Sequence, residues 1–109
     1  RHLKPDKVLS MLGLAAKAGK VVSGEFSTEK AIKARKAYIV MVAEDASDNT
    51  KKAFRDSCDY YRIPFAIYAT KEALGHCIGK QMRASLAVLD EGLGKEIVKK
   101  IDMQKNLEV

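Results

Sequence analysis

The chain has 109 residues, of which 47% are hydrophobic and 31% charged, a balance typical of a folded domain rather than a disordered one. This length suits one domain, expected to span residues 1–109, and no apolar run approaches the roughly 20 residues that a membrane-spanning helix needs. Because no such run is present, we expect no membrane partner. The two cysteines, Cys58 and Cys77, form no CxxC pair, which argues against a disulfide scaffold or structural zinc site and favours a reduced, cytoplasmic protein.

The net charge of +6 is distributed unevenly along the chain. Residues 1–40 contain nine basic and three acidic side chains, so they carry the whole excess, whereas residues 41–109 contain eleven of each. A basic region of this kind suits contact with a polyanion such as nucleic acid. A basic helix kept soluble by lysines would give the same count, and the charges alone do not choose between the two.

The elements predicted in chain order alternate between helix and strand. The first helix opens near Pro5, because proline is tolerated in a first helical turn, and stops at Gly19. Its apolar residues recur at helical spacing: Val8, Leu9, Leu12, Ala15 and Ala16. The later patterns predict, in order, a strand at 20–23, a helix from 23 or 24 to about 35, a strand at 38–43, a helix from 47 or 48 to about 61, a strand at 64–68, a helix at 71–78, a strand at 85–89 and a helix at 95–101.

Specific residues support these boundaries. Ser47 or Asp48, and later Thr70, can cap the helices that they precede, and Gly79 can stop one. The continuous apolar run at 38–43 is typical of a strand covered on both faces. The alternation of helices and strands therefore predicts an α/β protein with helices on both faces of a central sheet, a three-layer α/β/α sandwich.

No constellation of residues indicates an enzyme. His2 lies near the terminus, and His76 and Cys77 are adjacent, with no third metal ligand at a recognisable spacing. Glu44 and Asp45 follow a strand, but successive residues there point to opposite faces, and helix capping accounts for them. Since no phosphate-binding glycine loop is present either, we expect a non-catalytic protein without a metal or cofactor.

Two segments favour nucleic-acid binding. Gly24 opens a predicted helix with Lys30 and Lys33 on its first turns, where exposed backbone N–H groups and lysines attract phosphate. The segment 79–84 combines cations with Met82, and RNA sites pair cations with an apolar contact for an unstacked base. The alternative for Met82 is that it fills space in the core.

Five short motifs, taken in order, resemble the kink-turn-binding ribosomal protein superfamily, the family of ribosomal proteins L-seven-Ae and L-thirty-e, and in particular its short bacterial YlxQ-like branch. The motifs are GKVVSG at 19–24, KAI at 30–32, VAEDA at 42–46, IPF at 63–65 and LG at 74–75. The resemblance covers about residues 5 to 90. It implies an L-thirty-e-like three-layer fold with a central four-stranded mixed sheet, no catalysis, and recognition of RNA that is bent at tandem sheared G·A pairs.

In this family a helix-opening motif enters the groove at the kink: glycine, any residue, asparagine, glutamate, two of any kind, lysine. The resemblance places its glycine at Gly24, the free position at Glu25 and its lysine at Lys30. Phe26 and Ser27 stand at the asparagine and glutamate positions. The guanine-edge acceptor and the backbone-binding amide are therefore absent here, although Ser27 can make one hydrogen bond and Phe26 can stack or pack.

The second family contact is the loop before the last core strand, which covers an extruded nucleotide and matches residues 78–84. The resemblance thus implies an RNA interface made of Gly24, Glu25, Phe26, Ser27, Lys30, Lys33, Ile78, Lys80, Met82 and Arg83.

The expected function is a non-catalytic, ribosome-associated and monomeric RNA-binding protein. Its expected partner is structured, kink-turn-like RNA, with ribosomal RNA as one candidate. Two alternatives stay open. One is a protein-interaction module that reuses the fold after losing the asparagine and glutamate pair, and the other is a substrate-recognition domain detached from an RNA-modifying enzyme.

Overall fold

A computed structural model describes the backbone of residues 6–108 and the side chains of residues 6–103. His2 and Pro5, named above, lie outside the described residues. Within this range helices and strands alternate along the chain, with these bounds: α1 Lys7–Lys17, β1 Val21–Ser23, α2 Glu25–Lys33, β2 Ile39–Val42, α3 Asp48–Tyr61, β3 Phe65–Ile67, α4 Lys71–Cys77, β4 Ser85–Val88 and α5 Glu91–Glu108.

The strands form one four-stranded mixed sheet in the order β1-β4-β2-β3. β4 runs antiparallel to both β1 and β2, and β3 is parallel to β2, so β1, β2 and β3 all run in the same direction. In the register of the sheet, Ser23 at the end of β1 pairs with Leu86, and Val42 at the end of β2 pairs with Ser85. The start of β4 therefore lies between the ends of β1 and β2, and this places the start of α2 beside the segment that precedes β4.

Helices cover both faces of the sheet. α1, α4 and α5 pack on one face, and α2 and α3 pack on the other. Strand β2 shows why, because Ile39 and Met41 belong to the first core while Val40 and Val42 belong to the second, and all four are at most 2% exposed. The predicted three-layer α/β/α sandwich with a central mixed sheet is confirmed.

Side chains cap four of the helices at their N-termini. Asp6, Ser47 and Thr70 accept hydrogen bonds from the third residue after each of them, at the starts of α1, α3 and α4. Asp90 accepts one from the backbone N–H of Leu93 at the start of α5. Ser47 and Thr70 cap as predicted. α2 differs, because it follows Gly24, which has no side chain to cap it.

The bounds of two helices, α2 and α5, differ from the sequence prediction. α2 ends at Lys33 rather than near Arg35, since Arg35 has a left-handed backbone with φ of 59°. α5 extends from Glu91 to Glu108 and is longer at both ends than the predicted 95–101. Two glycines in its first turn weaken the helical signal at its start. One of them, Gly94, is needed for packing, because a Cβ atom at this position would lie 2.6 Å from the Cβ of Tyr38.

Candidate nucleic-acid interface

The start of α2 is fixed by backbone contacts of Gly24. Its φ of 92° and ψ of 160° lie in a region that is essentially restricted to glycine. Its N–H donates to the carbonyl oxygen of Ser85 at 3.0 Å, and its own carbonyl accepts from the N–H of Thr28 at 3.0 Å. Because no side chain caps this helix, the N–H groups of its first turn can bind an external acceptor at the positive end of the helix dipole.

A buried hydroxyl pair joins α2 to β4. Thr28 and Ser85 are 0% and 1% exposed, and the Ser85 hydroxyl donates to that of Thr28 at 3.4 Å. Sequence reasoning missed both residues, since neither stands out from the many serines and threonines of a soluble chain. They hold the first turn of α2 against β4, the strand that follows the predicted binding segment 79–84.

The segment of residues 78–84, here named the α4–β4 loop, lies directly on α4. The N–H of Lys80 donates to the carbonyl oxygen of Gly75 at 2.8 Å. A Cβ atom at Gly75 would lie 1.7 Å from the carbonyl oxygen of Gln81, so only glycine permits this close approach. The sequence signal that could have identified Gly75 is a glycine inside a helical pattern, which often marks a packing contact.

Arg83 links the α4–β4 loop to the start of α2. Its Nε donates to the hydroxyl of Ser23 at 3.0 Å, and Ser23 immediately precedes Gly24. Its Nη1 donates to the carbonyl oxygen of Met82 at 3.0 Å, and its backbone N–H donates to that of Lys71 at 3.0 Å. The structure therefore brings the two predicted segments together. Ser23, which is not among the predicted interface residues, completes the link.

The predicted interface residues are all at least partly accessible. Phe26 is 78% exposed and Met82 is 58% exposed, so neither is a core residue, and the core-filling alternative for Met82 is wrong. The residues classed as exposed are Glu25, Phe26, Lys30, Lys33, Lys80 and Met82, and those half-buried are Gly24, Ser27, Ile78 and Arg83. Because α2 is short, Lys30 and Lys33 lie in its last turn rather than in its first turns.

The outer face of α2 carries a shallow groove lined by Phe26, Glu29, Lys30, Lys33 and Ala34. The Nζ of Lys33 lies 3.8 Å from Oε2 of Glu29, and the same oxygen accepts a hydrogen bond from the Ser57 hydroxyl at 3.0 Å. Glu29 is therefore held between α2 and α3, and it partly neutralises Lys33. The groove combines an exposed aromatic ring with the cation of Lys30.

The other residues considered for catalysis or ligand binding have surroundings that do not suit such a role. Burial, followed by the charge of Asp6, raises the pKa of Cys77 to about 11, so its thiol is protonated at neutral pH and a poor nucleophile. Asp45 accepts a hydrogen bond from the backbone N–H of Lys71 at 2.8 Å, which agrees with the capping interpretation.

Within residues 6–103, no three His, Cys, Asp or Glu side chains are grouped so that they could hold a metal ion. No helix in the described part of the chain has the length and apolar character to cross a membrane.

A family model described as the ribosomal protein L7Ae/L30e/S12e/Gadd45 family matches residues 6–98. The chain belongs to this family. "RNA-binding protein YlxQ" of Bacillus subtilis (strain 168) is 41% identical to it over 92 residues, which cover 84% of this chain and 92% of the relative. A protein of the same name from Enterococcus faecium is 40% identical over 92 residues, covering 84% and 87%.

Solved structures agree with this assignment. A protein with unknown function from Bacillus halodurans C superposes on this L7Ae/L30e family member with a TM-score of 0.87 and 36% identity, covering 90% of this chain and 99% of that one. The Giardia lamblia 15.5kD RNA binding protein has a TM-score of 0.77 over 93% and 92% of the two chains, and at 20% identity it supports the fold alone. The resemblance inferred from the sequence is thereby confirmed.

Proposed function

We propose that this L7Ae/L30e family member is a non-catalytic RNA-binding protein that recognises kink-turn-like structured RNA. The observation that carries the proposal is the hydrogen bond from Arg83 to Ser23, which joins the uncapped start of α2 to the α4–β4 loop. Both segments present cations and an exposed apolar side chain. The names of the Bacillus subtilis and Enterococcus faecium relatives support RNA as the ligand.

Helix α2 supplies attraction to the RNA backbone at its start and a contact with base edges from its last turn. Uncapped N–H groups after Gly24 suit a phosphate oxygen, and Lys30 suits a guanine edge at the kink. Glu25 adds a negative charge in the first turn of α2, so attraction of the helix to phosphate depends on the lysines of its last turn. Ser27 provides one hydroxyl where the family motif has a carboxylate, and Phe26 provides an exposed ring where the motif has an amide.

The α4–β4 loop supplies the cover for an unstacked nucleotide. Met82 presents an exposed apolar side chain, which suits the flat face of an extruded base, and Lys80 is exposed to a neighbouring phosphate. Arg83 positions the loop, because its guanidinium donates hydrogen bonds to the Ser23 hydroxyl and to the Met82 carbonyl. The backbone contacts with α4 keep the loop in place before RNA binds.

The proposal extends to the setting of the protein. The matching family includes ribosomal proteins, which supports association with the ribosome and makes ribosomal RNA a candidate partner. We expect the protein to act in the cytoplasm as a monomer, because one copy of the chain presents both predicted segments of the interface. An ultracentrifugation measurement with and without RNA tests the monomeric state.

A binding comparison tests the proposed specificity. Electrophoretic assays with a kink-turn RNA and with a straight duplex of equal length should show tighter binding to the kink-turn. Replacing the tandem G·A pairs by Watson–Crick pairs should remove the difference, because the base edges at the kink are then occupied. Equal affinity for all three RNAs would contradict kink-turn recognition. Binding to none of them would favour a protein-interaction module on the same fold.

A further inference from the structure

A second patch of cations and aromatic rings lies at the opposite end of α2. Since β1, β2 and β3 are parallel, the helices that connect them run in the same direction and end at the same side of the sheet. The end of α2 contacts the end of α3 directly, because the guanidinium carbon of Arg35 lies 5.1 Å from the centroid of the Tyr61 ring. This patch comprises Arg35, Lys36, Tyr60, Tyr61 and Arg62, and is here named the Tyr60 patch.

The two tyrosines of the patch have different surroundings. Tyr61 is half-buried and packs on the core beneath α2 and α3. Tyr60 is 77% exposed, and its ring meets that of Tyr61 edge to face, with centroids 4.9 Å apart and an interplanar angle of 79°. The half-buried Tyr61 ring therefore restrains the Tyr60 ring by this contact, while most of the Tyr60 side chain remains accessible. Folding gains little from an aromatic side chain exposed to this extent.

The cations around the rings adopt an unusual backbone. Arg35 and Arg62 both have a left-handed φ of 59° just after α2 and α3, at positions where glycine is usual. Lys36 is exposed beside Arg35. On α3, Asp59 is exposed next to Tyr60, and Asp56, one turn from it, is paired with Lys52 at 2.7 Å. The patch thus contains three cations, and the adjacent carboxylate of Asp59 forms no ion pair with any side chain of residues 6–103, so the charge of the patch is positive overall.

Single exposed aromatic residues are common on protein surfaces and need no explanation. Here the exposed ring packs against a second ring that contacts the Arg35 guanidinium, and further cations adjoin both in the sequence. Aromatic rings combined with cations bind an unpaired nucleotide by base stacking and phosphate attraction. We infer that the Tyr60 patch binds an unpaired nucleotide of the RNA outside the kinked segment. This inference rests on the proposed function. Gly24 and Arg35 are about 16 Å apart along α2, a distance that about five nucleotides span.

The test compares two RNAs that share the same kink-turn. One RNA ends flush. The other is made in two forms, each with an unpaired extension of about eight nucleotides at one of its two ends, which is longer than the distance between Gly24 and Arg35 requires. The extended RNA should bind the unmodified protein more tightly. Tyr60→Ala should weaken binding of the extended RNA by about five- to a hundredfold and leave the flush RNA unchanged. Tyr60→Phe should retain the affinity, because the aromatic face that stacks is retained.

Two further variants separate charge from folding. Arg62→Gly removes a cation and relaxes the left-handed backbone, so the melting temperature should stay equal or rise while affinity for the extended RNA falls. Arg55→Ala is the matched control, because Arg55 is an exposed α3 cation whose guanidinium carbon lies 5.4 Å from the Phe65 ring, outside the patch. It should leave the preference for the extended RNA unchanged.

The outcomes distinguish this inference from the proposed function. If Tyr60→Ala leaves the affinity for the extended RNA unchanged, or lowers the affinity for both RNAs equally, the Tyr60 patch does not bind an unpaired nucleotide. In that case the flush RNA still tests the interface proposed at α2 and the α4–β4 loop, because Lys30→Ala should lower the affinity for this RNA. If the unmodified protein binds neither RNA, both proposals fail.

Discussion

Lys30 and Lys33 both lie in the last turn of α2, but their surroundings differ. Lys33 lies within 3.8 Å of Glu29, which is itself held by Ser57. Among the described side chains, none forms an ion pair with Lys30. An ion pair this exposed contributes little to stability, yet it lowers the charge that Lys33 offers to a phosphate. Lys30 is therefore the cation of α2 on which the proposed interface depends most.

Replacing Lys30 should weaken RNA binding without unfolding the protein. Lys30→Ala removes the contact proposed with a guanine edge, which corresponds to about 1–3 kcal/mol of binding free energy. Lys99→Ala is the matched control, since Lys99 is an exposed lysine of α5, paired with Glu96, on the other face of the sheet. Filter binding at fixed salt measures both. Equal losses would mean that binding is diffuse electrostatic attraction and that the assigned site is wrong.

Restoring the family residues at positions 26 and 27 should tighten kink-turn binding. In the double variant Phe26→Asn, Ser27→Glu, a carboxylate again accepts hydrogen bonds from guanine, about 1.5–3 kcal/mol each before desolvation costs. The melting temperature should hold, because Phe26 is 78% exposed. The gain should vanish when Watson–Crick pairs replace the G·A pairs. A lower kink-turn affinity with an unchanged melting temperature would instead show that the Phe26 ring makes its own contact with RNA.

At the scale of elements, the α4–β4 loop has no regular secondary structure, but α4 holds it closely. The loop backbone approaches Gly75 so closely that a side chain would collide with the carbonyl of Gln81. Hydrogen bonds from the N–H groups of Lys80 and Arg83 to carbonyls of α4 add to this contact. The position of the loop is therefore set by α4 and does not require RNA.

Enlarging Gly75 should displace the loop. In Gly75→Ala the added Cβ would lie 1.7 Å from a backbone atom, so the loop must shift, at a cost of about 1–3 kcal/mol in the free energy of unfolding. RNA affinity should fall with it. Gly92→Ala is the control, because its Cβ would meet only the Asp90 carboxylate at 3.5 Å, and it should gain up to about 1 kcal/mol of stability. Unaltered stability and binding in Gly75→Ala would contradict the close packing of the loop on α4.

At the scale of the whole molecule, the sheet order decides where the charges meet. The excess of +6 belongs to residues 1–40, whereas the α4–β4 loop belongs to the neutral remainder of the chain. Because β4 inserts between β1 and β2, Lys80 and Arg83 of the loop lie at the same edge as the start of α2. The loop cations thereby lie beside the uncapped N–H groups at the start of α2, whose own lysines, Lys30 and Lys33, lie in its last turn.

Binding to kink-turn RNA should therefore depend steeply on salt. With about three to five phosphates neutralised, log K should fall against log salt concentration with a slope of roughly −3 to −5. Titrations at several potassium chloride concentrations measure this slope, and Lys30→Ala should reduce its magnitude by about 1 if Lys30 binds a phosphate rather than a base edge. A flat response would exclude the phosphate contacts proposed for this surface.

The sequence by itself determined the succession of helices and strands and most of their ends, because periodicity and capping residues act over a few neighbours. Gly19 and Gly79 adopt the expected left-handed φ of 73° and 76°, and Ser47 and Thr70 cap the expected helices. The start of α5 was missed, since the glycine signal at residue 94 reflects a contact with Tyr38 rather than a loop. Local patterns carry no information about such a contact.

Only the tertiary structure decided which distant residues meet. The link between Arg83 and Ser23 and the buried pair of Ser85 and Thr28 each join positions about sixty residues apart, and they depend on β4 pairing with β1. Strand order follows from how all the apolar faces pack together, so no short motif specifies it. The family motifs identified the two segments of the proposed interface. The pairing of the strands brought them to one edge and added Ser23, Thr28 and Ser85 as the residues that hold them there.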